Sequence, residues 1–279
     1  MTNHTTHPPL TQLLRARYGD AAPTLPPVAS EAVLAQLLSH RSVRAFAPRA
    51  LPEGTIETLV AAAQSAPSSS NLQTWSVVAV QDEGRKKRIA EYAGQQAHVA
   101  QAPLLLVWLA DLARLQGLAR DKALPLEGSH YLDSFLMAVI DAALAAQNAL
   151  TAAESLGLGT VYLGAIRNRP EAVVTELELP PGVFALFGMS VGYPDEERPA
   201  AIKPRLPQST VLSYERYAPP DQAGDVQRYD ATMSAFYQAQ GMQPNRWSDH
   251  SLARLKDASQ LRGRHRLVEA IDGQRIGLK

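Results

Sequence analysis

The stretch His40-Arg41-Ser42-Val43-Arg44-Ala45-Phe46 places two guanidinium groups, an imidazole and a hydroxyl within five residues, where an apolar-periodic segment stops. Charge-assisted donors at this density can hold a phosphate or another anionic group. The same residues would serve equally as a solvated helix end, with cations complementing the helix dipole. Ser68-Ser69-Ser70-Asn71-Leu72-Gln73 follows Pro67. It reads either as a polar loop or as a surface whose small side chains admit a planar ligand to backbone N–H groups. Gln96, the strand end Tyr162-Leu163-Gly164, and Lys203-Pro204-Arg205 in a proline-rich stretch complete the set.

Other apparent motifs fail on context. Gly188-Met189-Ser190-Val191-Gly192 matches the G-x-S-x-G nucleophile elbow, which needs a strand, a sharp turn and then a helix. Pro194 and an acidic, proline-rich loop follow instead, so Ser190 reads as a core strand residue. Gly157-Leu158-Gly159 lies after a helix and before a strand, the reverse of a dinucleotide fingerprint. His4 with His7, and Asp249 with His250, lack further ligands at metal spacing, so no metal site is expected. His98 and His130 read as ordinary helix-end residues.

The elements that must position these groups follow from periodicity. A short helix is expected over Leu10 to Tyr18, followed by Pro23, Pro26 and Pro27, an arm on the surface or on a partner. A second helix runs from about Ser30 with Val33, Leu34, Leu37 and Leu38 on one face and ends at the His40 stretch. Pro52 is read as the first turn of a third helix reaching about Ala66. Trp75 to Val80 alternates as a strand, and Asp82 caps a basic helix to about Tyr92. Leu104 to Ala110 and Phe184 to Val191 are apolar throughout, the pattern of strands covered on both faces. Val161 to Leu163 is a further strand, and Pro170 opens a helix to about Leu177. Further helices are expected from Gly224 to Gln240 and from Ser248 to Ser259, and Asp272-Gly273 reads as a tight turn. Strands and helices neither alternate strictly nor segregate, which favours α+β.

The longest periodic segment, about Ser129 to Leu156, has almost no polar face and stops at Gly157. A helix apolar nearly all round must be covered nearly all round, which points to burial in a dimer core.

With 27 basic and 27 acidic side chains in 279 residues, the chain lacks the broad positive field of a non-specific nucleic-acid binder. No cysteine is present, so disulfides, thiolate nucleophiles and cysteine-ligated clusters are excluded. No signal peptide is visible and no window approaches ~18 uninterrupted apolar residues, so the expectation is a cytoplasmic protein without a membrane partner.

Taken in order, the phrases His40-Arg-Ser-Val-Arg44, Ser68-Ser-Ser-Asn-Leu-Gln73, Gln96-Ala-His98-Val-Ala-Gln101, Gln147 to Gly159, Val161 to Asn168, Leu186-Phe-Gly188, Lys203-Pro-Arg-Leu-Pro207 and Trp247-Ser-Asp-His250 resemble the nitroreductase family of flavin enzymes. The likeness is strongest to the oxygen-insensitive, NADPH-linked type A nitroreductases and their flavin reductase relatives. It spans about residues 31 to 260. The resemblance implies a nitroreductase-like α+β fold, a central mixed sheet flanked by helices, in an intertwined homodimer with non-covalent FMN at the interface. Residues 1–30 would be an N-terminal extension, with no assigned role, to an FMN-binding domain over 31–279.

Residue by residue, His40, Arg41 and Ser42 match the phosphate-holding segment, joined by Lys203 and Arg205. Arg44 matches the cation beside the flavin pyrimidine edge, where it would stabilise negative charge on the reduced ring. Ser68, Ser69 and Ser70 match a loop from the other subunit, Gln96 a hydrogen bond to the ring, and Leu163, Gly164 and Ala165 the backbone near N5. The implied activity is ping-pong hydride transfer from NADPH or NADH through FMN to nitroaromatic, quinone or similar acceptors. Alternatives are an FMN reductase supplying reduced flavin, or a non-enzymatic flavin-binding redox sensor. Relatives carry an arginine for the extra NADPH phosphate where this chain has Gln240 before Gly241. Arg246 is the nearby substitute, and both donors stay open.

Overall fold

The computed structural model describes residues 7–24, 26, 30–218 and 222–279; His4 and Pro27 lie outside them. In chain order the elements begin with α1 (Leu10–Tyr18), α2 (Ala32–Leu38), α3 (Thr55–Gln64), β1 (Trp75–Val80), α4 (Glu83–Tyr92) and α5 (Ala97–Gln101). Next come β2 (Leu104–Asp111), α6 (Ala113–Asp121), α7 (Leu132–Ser155), β3 (Gly159–Leu163), α8 (Pro170–Glu176) and β4 (Val183–Gly192). The chain finishes with α9 (Gln208–Val211), α10 (Gln222–Ala239), α11 (Trp247–Leu255) and α12 (Leu267–Gly273). Contacts divide it into two units, residues 1–41 with 200–260 and residues 42–199 with 261–279.

The second unit holds a sheet of order β1-β2-β4-β3 with every neighbouring pair antiparallel. The sheet is thus antiparallel rather than mixed as expected, and the parallel bridge Ser42 to Thr160 lies outside its strand pairs. The unbroken apolar run of β2 has a direct cause: both its faces are covered. Leu104, Leu106 and Trp108 meet Leu59 and Ala63 of α3 and the alanines of α7. Leu105, Val107 and Leu109 meet Ile89, Val99 and Val173 on the other side. β4 is covered in the same way, which leaves Ser190 fully buried inside a continuing strand.

α7 has 24 residues, about 36 Å at ~1.5 Å per residue. Its buried stripe is Ala138, Ala142, Ala145, Ala146, Ala149 and Ala153, side chains small enough to bring the helix close onto the sheet. Leu132, Leu136, Ile140 and Leu144, at every fourth position, are exposed. By length and composition α7 is also apolar enough to cross a bilayer, although its alanine face is committed to the core of its own unit.

Some boundaries differ from the sequence reading. α3 starts three residues after Pro52, at Thr55, because Gly54 turns the chain through φ 79° and the Thr55 hydroxyl donates to the Pro52 carbonyl. α6 has no counterpart in the sequence reading. Asp272-Gly273 ends α12, whose Ala270 and Ile271 are buried against Phe184 and Leu186 of β4, rather than forming a free turn.

In the first unit α1 lies on α2, with Leu10 and Leu13 packed against Leu34, Ala35, Leu38 and Ile202. Of the arm expected at the N-terminus, the helix α1 is docked on α2. α10 and α11 meet through Tyr229 and Trp247, ring centroids 5.7 Å apart, and Asp230 accepts both the backbone N–H and the hydroxyl of Ser248.

Candidate functional site

The His40 to Phe46 stretch divides between the units after Arg41. In the second unit, Ser42 to Ala47 is laid along the end of the sheet. The Val43 N–H donates to the Thr160 carbonyl at 2.8 Å, Ala47 N–H to Tyr193 O at 2.9 Å, and Asp195 N–H to Ala45 O at 3.0 Å. Val43 and Phe46 are buried, and the Arg44 side chain between them is exposed. Two glycines paired across β3 and β4, Gly159 and Gly192, make this approach possible. A β-carbon on Gly159 would stand 2.6 Å from Val43 Cγ2, and one on Gly192 2.9 Å from Phe46 Cδ1.

Behind Arg44 lies a polar group inside the core. Gln96 Oε1, which can only accept, lies 2.9 Å from His98 Nε2, so that nitrogen carries the proton. His98 Nδ1 is then the acceptor for the Ser190 hydroxyl, at a long 3.4 Å. Gln96 Nε2 donates to the Ala93 carbonyl at 3.1 Å, so the amide face is fixed and one N–H remains for a ligand. Burial pushes the His98 pKa below the ordinary imidazole value, and the Arg44 charge adds to that. His98, expected to be a plain helix-end residue, is instead buried on α5 and orders Gln96. Ser190 has the core position the sequence reading gave it, and its partner is this imidazole.

The serine loop depends on a buried carboxylate on α7 that sequence reasoning missed. Asp141 accepts from the Ser68 hydroxyl at 2.7 Å, the Ser69 N–H at 3.0 Å, and the Thr74 N–H and hydroxyl, both at 3.3 Å. The Ser68 oxygen in turn accepts the Gln73 N–H at 2.9 Å. Ser68 therefore holds the loop, while Ser69 and Ser70 are exposed. Ser70, Asn71 and Gln73 all have positive φ, 49°, 54° and 52°. The only sequence signal for Asp141 was a single acidic residue in the middle of an apolar helix.

Leu163 closes β3 buried, and Gly164 and Ala165 follow in a 3-10 turn, Gly164–Asn168. Arg167, in the same turn, donates from Nη1 to the Leu186 carbonyl, and burial lowers its pKa.

The first unit carries the other cations. The Lys203 ammonium lies over the Tyr237 ring at 5.5 Å. Arg205 Nη1 donates to the Lys203 and Pro204 carbonyls at 3.1 and 3.2 Å, while its backbone N–H donates to Arg17 O at 2.8 Å. His40 is half-buried and Arg41 exposed. Arg246, the candidate for a dinucleotide phosphate, stands exposed at the N-terminal end of α11, and Gln240 is exposed just beyond α10. Among the described residues no group of acidic, histidine or cysteine side chains could hold a metal. Of the metal-type pairs read from the sequence, His7 instead faces the Ser39 hydroxyl at 3.3 Å.

Comparison with known proteins gives this arrangement its context. The family model described as Nitroreductase family matches residues 37–193, and the model of its C-terminal domain matches residues 203–279. The chain is 39% identical over 220 residues to FMN reductase [NAD(P)H] of Bacillus subtilis, covering 77% of this chain and 88% of that protein. It is 39% identical over 216 residues to the oxygen-insensitive NADPH nitroreductase of Salmonella typhimurium, covering 77% and 87%. The solved structure of B. megaterium NfrA2 superposes with a TM-score of 0.83 at 34% identity, over 88% of this chain and 98% of that one. A fold, a phrase order and two matched family models coincide over most of the sequence, and the chain belongs to the nitroreductase family.

Proposed function

We propose that this chain is an FMN-dependent NAD(P)H oxidoreductase acting on flat electrophilic acceptors such as nitroaromatics and quinones. The observation that carries the reading is the segment Ser42–Ala47, fixed to the sheet end with the Arg44 side chain exposed and its charge felt at His98, the residue that orients the Gln96 amide. The donor sets suit FMN. A phosphate monoester asks for charge-assisted donors, and within the first unit Arg41, Lys203 and Arg205 supply cations and His40 a ring N–H. A heteroaromatic ring with carbonyl acceptors asks for an amide donor and a cation, which Gln96 and Arg44 supply. Ser69, Ser70 and the backbone of Leu163, Gly164 and Ala165 offer small or side-chain-free approach.

Bound FMN supplies a ring that takes up a hydride from NAD(P)H and gives it up to an acceptor. The chain's own part is electrostatic and geometric. Arg44 favours the negative charge of the two-electron reduced state, since a fixed cation stabilises the charged form over the neutral one. No side chain has to move a proton at the donor step, so catalysis rests on holding donor and acceptor in turn at contact distance. Arg246 is the proposed partner for an NADPH phosphate, with NADH also open because Gln240 is uncharged.

The reading includes a homodimer and a cytoplasmic location. Four exposed aliphatic residues in line on α7 support the first. Supply of NAD(P)H supports the second.

The test is direct. Protein saturated with FMN should show a flavin absorbance band that NADPH or NADH bleaches anaerobically and that a nitroaromatic or quinone restores. Protein that takes up no FMN, or bound flavin that stays oxidised under excess donor, overturns the proposal. Arg44→Ala should retain flavin but lower its midpoint potential, shifting the reduced-to-oxidised ratio at a fixed donor ratio by about tenfold. An unchanged potential refutes the role given to Arg44.

A further inference from the structure

We infer that Arg17, on the N-terminal helix α1, is a positioning residue that ties the His40 turn to the Lys203–Arg205 loop and so sets the phosphate-binding face of the first unit. The inference rests on the FMN reading above. It assigns a role to a segment that precedes the family-matched residues 37–193.

Arg17 is 7% exposed. A guanidinium removed from water is costly unless its N–H groups meet acceptors. Those acceptors are carbonyls in the last turn of α2 and in the turn that follows it. Nε donates to Leu38 O at 3.0 Å, and Nη2 to His40 O at 2.8 Å and Leu37 O at 3.5 Å. A cation there also meets the negative end of the helix dipole. The planar fork spans several carbonyls at once, which a lysine ammonium cannot reproduce.

The backbone carbonyl of the same residue accepts the Arg205 N–H at 2.8 Å. On the other side of that loop, the Tyr229 hydroxyl of α10 donates to the Pro204 carbonyl at 2.9 Å. Arg17 therefore holds His40 by its side chain and Arg205 by its main chain. Leu10 and Leu13 press the helix that carries it onto Leu34, Leu38 and Ile202, and His7 adds a contact to Ser39. Displacing Arg17 would move donors at both ends of the set, His40 and Arg205, and a phosphate feels that most because its contacts are directional.

The experiment separates the phosphate from the ring by using two probes, FMN and riboflavin, titrated against the full chain by flavin fluorescence. Wild type should bind FMN more tightly than riboflavin. Arg17→Met should raise the FMN Kd about three- to tenfold, the worth of a hydrogen bond or two, while leaving the riboflavin Kd unchanged. Arg17→Lys, which keeps the charge and the buried stem, should fall between, and it carries the comparison if the methionine variant does not fold. Wild-type FMN affinity in the variants, or equal weakening of FMN and riboflavin, overturns the inference. Wild type that binds FMN no better than riboflavin overturns it as well, by removing the phosphate from this face. Wild type that binds neither flavin overturns the FMN reading itself.

Discussion

At the scale of single residues, the decisive groups are those that place others. His98 shows how such a group couples to pH. Its folded-state pKa lies below the ordinary value of 6.5, first through burial and then through Arg44. Above about pH 6.5 the imidazole is neutral in both states and its contacts count in full. As the pH falls below that value the unfolded chain takes up a proton that the folded one refuses, so stability is lost until the folded pKa is also passed. Urea unfolding from pH 7.5 to 5 should show this decline, and His98→Gln should flatten it; an identical slope in the variant would refute the assignment. The sequence made Arg44, Gln96 and the serine triplet visible, because their types and order carry the chemistry. It hid Arg17, Asp141 and the His98–Gln96 contact, because a buried polar residue is recognised by its partners, and those lie far away in the chain.

At the scale of elements, the serine loop is the instructive case. Three residues with left-handed backbone, each costing about 1 kcal/mol or more, persist only if something outside the loop holds them. Asp141 on α7 is that anchor. Asp141→Ala should strip buried donors on Ser68 and Thr74 of their acceptor and lower unfolding stability by about 2–4 kcal/mol, read from the urea midpoint. A loss below about 1 kcal/mol would mean that water replaces the carboxylate and that the loop holds itself. Elements with an unambiguous pattern were legible almost to the residue: α1, both doubly covered strands, and α4 with its Asp82 cap. α6 was not, although Leu115, Leu118 and Ala119 recur at helical spacing; the helix is short and buries none of its residues. The end of α12 was missed because Asp-Gly is a turn signal only where no tertiary contact holds the chain, and Ile271 is held.

At the scale of the molecule, the unbalanced feature is the outer side of α7. Leu132, Leu136, Ile140 and Leu144 are 41–57% exposed, an apolar line of the kind that marks an association surface. A second copy of the chain is the occupant the family reading favours, and the sequence pointed the same way through the missing polar face. Ile140→Asp should convert the dimer to a monomer in sedimentation velocity, with loss of flavin if the serine loop of one subunit completes the site of the other. A wild type that sediments as a monomer would refute the homodimer, and an unchanged sedimentation coefficient in the variant would move the interface away from α7.

Gly159 and Gly192 carry a consequence for how this site can vary. Each is a position where the smallest possible addition, a methyl group, meets Val43 or Phe46 closer than atoms tolerate. The two side chains so restrained flank Arg44, and the charge itself is left free in water. The location of that cation is thus written in the sheet, in residues more than a hundred positions along the chain from the one that bears it. Changes to Arg44 alter how strong the charge is; changes to the two glycines alter where it stands.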